Sequence, residues 1–572
     1  MASSVEDTEM TDAPIRQMQR LQIHELNDVL DRVGLANGDR LHIGIDFGTK
    51  SSSICYDRSS SPLRLLDCEA AANIIDDHNR SDRIATVAAF TEEHDTTTNT
   101  SWQLDFGARA SRNTTSIGQK HIVKIEMMKL HLLCGQGGAN HDPTTMHMLN
   151  DINEHHENVI RAICNDSSGV RCRVQDPLSQ EYKVCNIRSV RCVIKEFLRY
   201  LLQSAKAHFA SRHELQPAAV TTIFQEKAEV AISVPTNTLW TDSTMDRFQE
   251  LLREAEFPEV TILVSEAKSA AFYHVFELSK TAGTDAAREI AEQITIIADI
   301  GGGTTDITCL GSYYATEDCD TISFGEIASG VGSLNGSEKL NTLFKQYLQQ
   351  QLPGGISELV PGFHGSELQL SEVFATAFEV AKRNFDNTEA SYDVAPRFAT
   401  RLRLQKMGLE GSVVHGDRLT LDACIMQEIF DEWLAGIVSM LQEFMAEVTR
   451  GWTNTTPIVV GLTGWGSLPP YVLQFFNAHF SSQGVRVQMM ETKTRPAVAL
   501  GNYLQLVNQD LAHTQIAHNQ HVARIGDDEA KMMADLRYSK HGPPTDVEVP
   551  QRGPDLDQDL KRALLAQIAK ES

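Results

Sequence analysis

The sequence predicts an α/β fold of two similar lobes that face each other across a cleft. Three observations lead there. Apolar strands alternate with amphipathic helices through the middle of the chain. One short unit, consisting of an apolar strand, an Asp, a glycine turn, a Thr and a second strand, occurs twice, as "LHIGIDFGTKSSSICYD" and "ITIIADIGGGTTDITCL". The length of 572 residues is enough for several domains and a large buried core. A single Asp-x-Gly-Thr is a common turn, but two copies in the same strand–turn–strand frame imply a duplicated architecture.

The first copy comes close to a P-loop, because Gly48, Thr49, Lys50 and Ser51 nearly spell its ending. A Thr separates Gly from Lys, and Asp46 stands where phosphate charge would arrive. A P-loop also passes into a helix, whereas "SSSICYD" resumes an alternating strand pattern. The unit therefore reads as a β-hairpin.

Further elements follow in order. "IRQMQRLQIHELNDVLDRVG" is a short helix in an N-terminal extension, residues 1–40. Residues 131–185 read as loop-rich. Phe197, Leu198, Leu201, Leu202, Ala205 and Phe209 recur at helical spacing within a helix at about 188–210. "AEVAISVP" is a strand, "TDSTMDRFQELLREAEF" a capped helix, "VTILVSEA" a strand and "KSAAFYHVFELSK" a helix. These limits give one lobe at 41–290, a second at 291–490, and a return to the first at 491–508. The charged, Pro-rich remainder, 509–572, reads as largely disordered, with a helix at its end.

Composition bounds the function. Hydrophobic residues are 41% and charged residues 22%, ordinary for a soluble domain. The net charge of -25 argues against nonspecific binding to nucleic acid or to an anionic membrane. Ten cysteines without a C-x-x-C pair favour a reducing compartment and argue against structural zinc. The acidic N-terminus is no secretory signal, and no stretch reaches the ~18 apolar residues of a membrane helix. The expected location is cytoplasmic or nuclear.

Glycine turns let backbone N–H groups approach phosphate oxygens. A carboxylate beside polyphosphate is repulsive without a counter-ion, and Mg2+ resolves this, since carboxylates hold its waters while phosphates take other positions. Two such loops can clamp a triphosphate tail from both sides. The competing reading of either loop is a structural hairpin with a capped Asp. Within "FEVAKRNFD", Phe374, Phe378, Ala381 and Phe385 form one apolar stripe, and Glu379, Lys382, Arg383 and Asp386 the opposite face. The competing reading is a solvated face carrying helix-stabilising pairs.

These residues resemble the actin-like ATPase superfamily, and most closely its heat shock protein 70-like nucleotide-binding domain. "GIDFGTKSSS" is similar to the first phosphate motif and "ADIGGGTTDIT" to the second. "ILVSEAKSAAFYH" is similar to the connecting segment, "FEVAKRNFD" to the adenosine-binding helix, and "PIVVGLTGWGSLPPYVLQFF" to the adenosine motif. "ASGVGSLNGSEKLNTLF" is similar to a glycine turn leading into a helix of the second lobe, and "RPAVALGNY" to the segment before the returning helix. The resemblance covers about 41–508 and implies a two-lobed, duplicated ribonuclease H-like fold with a nucleotide cleft between the lobes.

It further implies a site. Asp46 and Asp299 face Mg2+, and Glu266 takes the catalytic glutamate's place, although Ala267 and Lys268 replace the family's Pro and Thr. Gly48, Thr49, Gly301, Gly302, Gly303 and Thr304 contact phosphates, with Thr304 and a lysine also catalytic. Lys129 is the candidate lysine, with Lys124 as its rival. Lys50 reaches a phosphate or faces solvent. Glu379 and Lys382 bind ribose, and Arg383 stacks on adenine. Thr463 replaces the first glycine of the adenosine motif, Gly464 keeps the second, and Ser467 replaces an Arg that closes the adenine sandwich. Trp465 is either a substitute aromatic surface or a packing residue.

The implied function is ATP binding with slow Mg2+-dependent hydrolysis to ADP, driving lobe opening and closing. The chain resembles a divergent branch without a peptide-binding domain, with nucleotide and possible protein partners or co-chaperones, no nucleic acid and no membrane insertion. The alternative is a pseudo-ATPase scaffold that binds nucleotide weakly. A sugar kinase needs a base facing the sugar, and a filament former needs an assembly signature; the sequence offers neither.

Overall fold

The apolar run before Asp46 is the strand Arg40–Asp46, buried from Leu41 onward. It pairs antiparallel with Ser51–Ser59, placing Asp46 opposite Ser53. The run before Asp299 is the fully buried strand Ile294–Ile300, which pairs antiparallel with Thr305–Tyr314, placing Asp299 opposite Asp306. The computed structural model describes residues 39–59, 73–74, 84–94, 100–112, 122–133, 143–164, 169–236, 239–281, 293–314, 322–352, 354–360, 367–394, 408–409, 412–415, 418–450, 457–490 and 496–507, with Leu30, Val33 and Leu35. Apart from Leu30 and Val33, the N-terminal helix lies outside the described residues, as does the 509–572 tail.

The described chain is a mixed α/β protein whose two main sheets share one strand order. In the first, Thr261–Ser265, Ala228–Val234, Arg40–Asp46, Ser51–Ser59 and Asn73–Ile74 lie side by side. In the second the order is Arg486–Met489, Ile458–Thr463, Ile294–Ile300, Thr305–Tyr314 and Ile322–Ser333. In both, the first three strands run parallel and the hairpins that follow are antiparallel. The short strand Ile84–Ala85 also pairs with Ser51–Ser59. A five-stranded sheet, Ile122–Glu126, Val87–His94, Thr100–Phe106, Val170–Gln175 and Tyr182–Ile187, and a four-stranded one over 391–422 complete the β-structure.

Each main sheet has its own core. The first cluster draws on residues 30–257 plus Leu334, and includes the Phe197, Leu201 and Phe209 stripe of the helix Val190–His213. The second draws on residues 294–487, with Trp433 and Phe430 of the helix Ala423–Val448 fully buried.

The described residues of the 131–185 region correct the loop-rich expectation. Pro143–Ile163 is a helix, and Val170–Gln175 and Tyr182–Ile187 are strands. The helix's buried face runs through Met148, Leu149, Ile152, His156, Val159 and Ile163, so a histidine and a methionine occupy places where branched apolar residues give a clear period. A second helix, Pro217–Lys227, also precedes the strand Ala228–Val234.

A helix over 497–507 closes onto the first sheet. Asn502 Nδ2 donates to the Ile45 carbonyl at 2.7 Å, and Cys55 Sγ to the Ala499 carbonyl at 3.1 Å. Gly44 permits this approach, because a Cβ there would stand 2.1 Å from the Ala499 oxygen. No helix among the described residues is long and apolar enough to cross a membrane. Gly44→Ala is expected to lower the free energy of unfolding by about 1–3 kcal/mol, the usual cost of overpacking a tight contact. Urea denaturation measures it; an unchanged midpoint would contradict the packing described.

Candidate functional site

Acidic residues collect where the parallel strands end. Asp46 closes Arg40–Asp46, and Glu266 opens the helix Glu266–Thr281 directly after Thr261–Ser265. Asp299 is the last residue but one of Ile294–Ile300, and Gly464 follows Ile458–Thr463. The carboxyl ends of parallel strands are where open α/β sheets place ligands. Here they border a cavity of about 440 Å³, a volume suited to a small molecule.

The wall brings together Asp46, Gly48, Thr49, Lys50, Lys129, Glu266, Asp299, Gly301, Gly302, Thr304, Glu379, Lys382, Arg383, Gly464 and Trp465. Gly303 lies behind it: a Cβ there would meet Thr49 and Leu130, and its carbonyl accepts from Gly336 N at 3.3 Å.

Lys129 sits on the single helical turn Met128–His131 and is 1% exposed. It pairs directly with Glu266, whose second oxygen accepts from Thr304 Oγ1 at 3.4 Å. Burial pulls the Lys129 ammonium down to about 8, although Asp46, Asp306 and Asp299 work to keep it charged. Lys124 is not part of the wall; its Nζ donates to the Ser111 carbonyl at 3.2 Å. Ser233 Oγ donates to Asp46 Oδ1 at 3.1 Å and accepts from Phe47 N at 3.3 Å, fixing that carboxylate. Asp306, buried beside the cavity, accepts from Thr236 N at 2.7 Å, and burial pushes its carboxyl above the usual range.

The cavity's other end is built on the helix Glu367–Asn384. Phe374, Phe378, Ala381 and the following Phe385 are buried in the second core. The opposite face is solvated only in part: Lys382 is 4% exposed and Glu379 half-buried, whereas Arg383 is exposed. Lys382 Nζ donates to Glu379 Oε1 at 2.6 Å, Asn341 Oδ1 at 3.2 Å and the Ser337 carbonyl at 3.3 Å. Burial lowers its pKa against the pull of Glu379 and Glu338. For Glu379, burial favours the neutral acid, but Lys382 and then Lys50 outweigh it and hold the carboxyl low.

Two residues of this network were not singled out from sequence. Asn341 Nδ2 donates to Glu379 Oε1 at 2.8 Å and to Glu338 Oε2 at 3.0 Å. Both sit on the first turn of the helix Glu338–Gln351. Their i, i+3 spacing was visible, but their aim depends on how the helix docks: Ser337 N and Glu338 N donate to the Gly301 and Gly302 carbonyls at 2.9 and 2.8 Å.

Gly464 has φ 81°, and a Cβ there would lie 2.3 Å from Asp299 Oδ1, so no other residue fits without strain. Ser467 is buried and donates from Oγ to the Gly464 carbonyl at 2.6 Å; it holds the turn and is not part of the wall. Trp465 is 40% exposed, and its ring is part of the wall, with the Arg383 guanidinium carbon 5.0 Å above it.

The wall carries six carboxylates, Asp46, Glu126, Glu266, Asp299, Glu338 and Glu379, against four cations, Lys50, Lys129, Lys382 and Arg383. A polyphosphate entering it requires an added cation. Among the described residues no three His, Cys, Asp or Glu side chains form a ready metal cage.

Residues 27–275 are similar to the family described as "Domain of unknown function (DUF8340) N-terminal domain", and residues 289–492 to "Domain of unknown function (DUF8340)". The interval between them falls between the two cores. No curated protein matches the chain.

An anion placed beside Lys129 would favour the charged form that burial disfavours. With the ammonium pulled down to about 8, raising the pH through that range discharges Lys129 and disfavours an anion beside it. Calorimetry of inorganic tripolyphosphate binding at pH 8, in two buffers of different ionisation enthalpy, is expected to show net proton uptake. Lys129→Arg is expected to show none; equal uptake in both proteins would contradict the assignment.

Proposed function

We propose that the chain is a two-lobed, actin-like, heat shock protein 70-like ATP-binding protein that hydrolyses ATP slowly with Mg2+. One observation carries this reading: the glycine turns after Asp46 and Asp299, at matching places in two sheets of one strand order, are walls of the same cavity. The likeness to the heat-shock branch rests on the sequence motifs.

Each residue then has a task. The backbone N–H groups of the turn at 48–50 and of Gly302, with the Thr49 hydroxyl, orient the phosphates, while the Gly301 N–H is held by the Thr304 carbonyl. Glu379 and Lys382, already held at fixed spacing by Asn341, meet the ribose hydroxyls. Arg383 and Trp465 give the base a flat, polarisable surface. Asp46 and Asp299 are the hard oxygen donors that suit Mg2+, which is commonly bound by one or two carboxylates and substrate phosphates rather than by an all-protein cage. When held there, Mg2+ would supply the charge neutralisation for the phosphates that the acidic wall cannot. Glu266, oriented by Thr304 and Lys129, accepts a hydrogen bond from the attacking water and fixes its line of approach. Phosphoryl transfer needs mainly such positioning and charge neutralisation. Nucleotide held by both sheets favours a closed arrangement of the lobes, a hinge motion readable by partners.

A pseudo-ATPase scaffold is favoured by one observation, the turn-bound Ser467, which leaves the base without a second cationic face. Thermal unfolding and phosphate release separate the two readings. Mg·ATP at a hundred times its Kd is expected to stabilise the wild type by about 2.7 kcal/mol, and Asp299→Ala is expected to lose at least tenfold in phosphate release. Stabilisation without release supports the scaffold; the absence of both stabilisation and release contradicts the nucleotide reading.

A further inference from the structure

Lys50 bridges the two sheets. It leaves the turn after Arg40–Asp46, and its Cγ passes within 3.0 Å of where a Cβ on Gly302 would lie. Its Nζ is 2.7 Å from Glu338 Oε2, at the start of a helix belonging to the second core. Partial desolvation by the surrounding protein works against its charge, but Glu338, then Glu126 and Glu379, hold the ammonium above the ordinary lysine range. Lys50 therefore stays charged at any working pH. It stands over both glycine turns, where the proposed polyphosphate lies, with its cation already claimed by a carboxylate.

We propose that Glu338 is an internal competitor for Lys50, so that phosphate affinity is set by exchange of that ammonium between the Glu338 carboxylate and the polyphosphate. This inference rests on the nucleotide reading. Glu338 does not need to move for the exchange. Asn341 Nδ2 remains 3.0 Å from its Oε2, and its backbone N stays on the Gly302 carbonyl. The 37% exposure of the Lys50 side chain leaves room for the stem to swing. The exchange also opens an ion pair across the cleft, so ligand binding and the link between the sheets are coupled through one side chain. Glu338 is a positioning residue: it acts on the ligand through Lys50.

The sign of the effect distinguishes this from a structural role. Affinities for Mg·ATP and for Mg·tripolyphosphate are measured by calorimetry on four proteins: wild type, Glu338→Gln, Lys50→Gln and the double variant. Glu338→Gln is expected to tighten both ligands at least threefold, and Lys50→Gln to weaken both at least threefold. In the Lys50→Gln background the Glu338→Gln gain is expected to vanish, because coupled residues do not add. Glu338→Ala must change affinity in the same direction as Glu338→Gln, which guards against a folding defect in either one. Weaker binding in Glu338→Gln, or the same gain with and without Lys50, overturns the exchange and leaves the nucleotide reading intact. No binding of either ligand to the wild type overturns both.

Discussion

A buried ammonium holds the acidic floor of this molecule together. Lys129 is 1% exposed and stands against Glu266, with Asp46, Asp299 and Asp306 close enough to act on its charge. Carboxylates cannot be gathered away from water without a counter-charge, because each lost hydration shell must be replaced by fixed partners. One lysine does not balance four acids. The remainder is met by hydrogen bonds, from Ser233 to Asp46 and from Thr236 N to Asp306. An added cation would complete the balance, which ties the electrostatics of the floor to the chemistry proposed for it.

The sheets deliver the acids to that place. Parallel strands in one order end on one side, so a residue at the end of each strand must face the same region. Two such sheets, each with its own core, bring two sets of strand ends together. Close contact between them depends on small residues, since a Cβ on Gly302 would meet Lys50 and one on Gly303 would meet Thr49 and Leu130. Gly464 lets its turn lie against Asp299, and the helix Glu338–Gln351 begins on the carbonyls of Gly301 and Gly302. The acidic end and the Glu379–Lys382 end of the cavity are thereby joined through Glu338 and Asn341.

What the sequence disclosed depended on how local the cause was. Asp46 and Asp299 were legible because strand, Asp and glycine turn are contiguous, and a hairpin needs no distant partner. The buried stripe through Phe374, Phe378 and Phe385 was legible from helical spacing. Lys129 and Lys124 could not be separated, since the choice is made by Met127. Its left-handed backbone, φ 53°, ends the strand and starts the turn that aims Lys129 inward. Glu338 and Asn341 read as ordinary polar helix residues, and only docking of the helix on the glycine turn gives them a task. The helix Pro143–Ile163 was hidden because His156 fills an apolar place in its stripe; its Nε2 lies 2.6 Å from the Glu126 carbonyl. Ser467 stood at the aligned place of a stacking arginine, yet the positive φ at Gly464 turns the chain so that Trp465 faces the cavity instead.

Every role proposed for the cavity requires that the two glycine turns face a common polyphosphate. A crystal structure of the chain grown with Mg2+ and a non-hydrolysable ATP analogue tests it most directly. The account predicts the triphosphate between the turns at 48–50 and 301–303, the ribose at Glu379 and Lys382, and the base against Arg383 and Trp465. An analogue bound elsewhere, or a cavity that excludes it at saturating concentration, would contradict it.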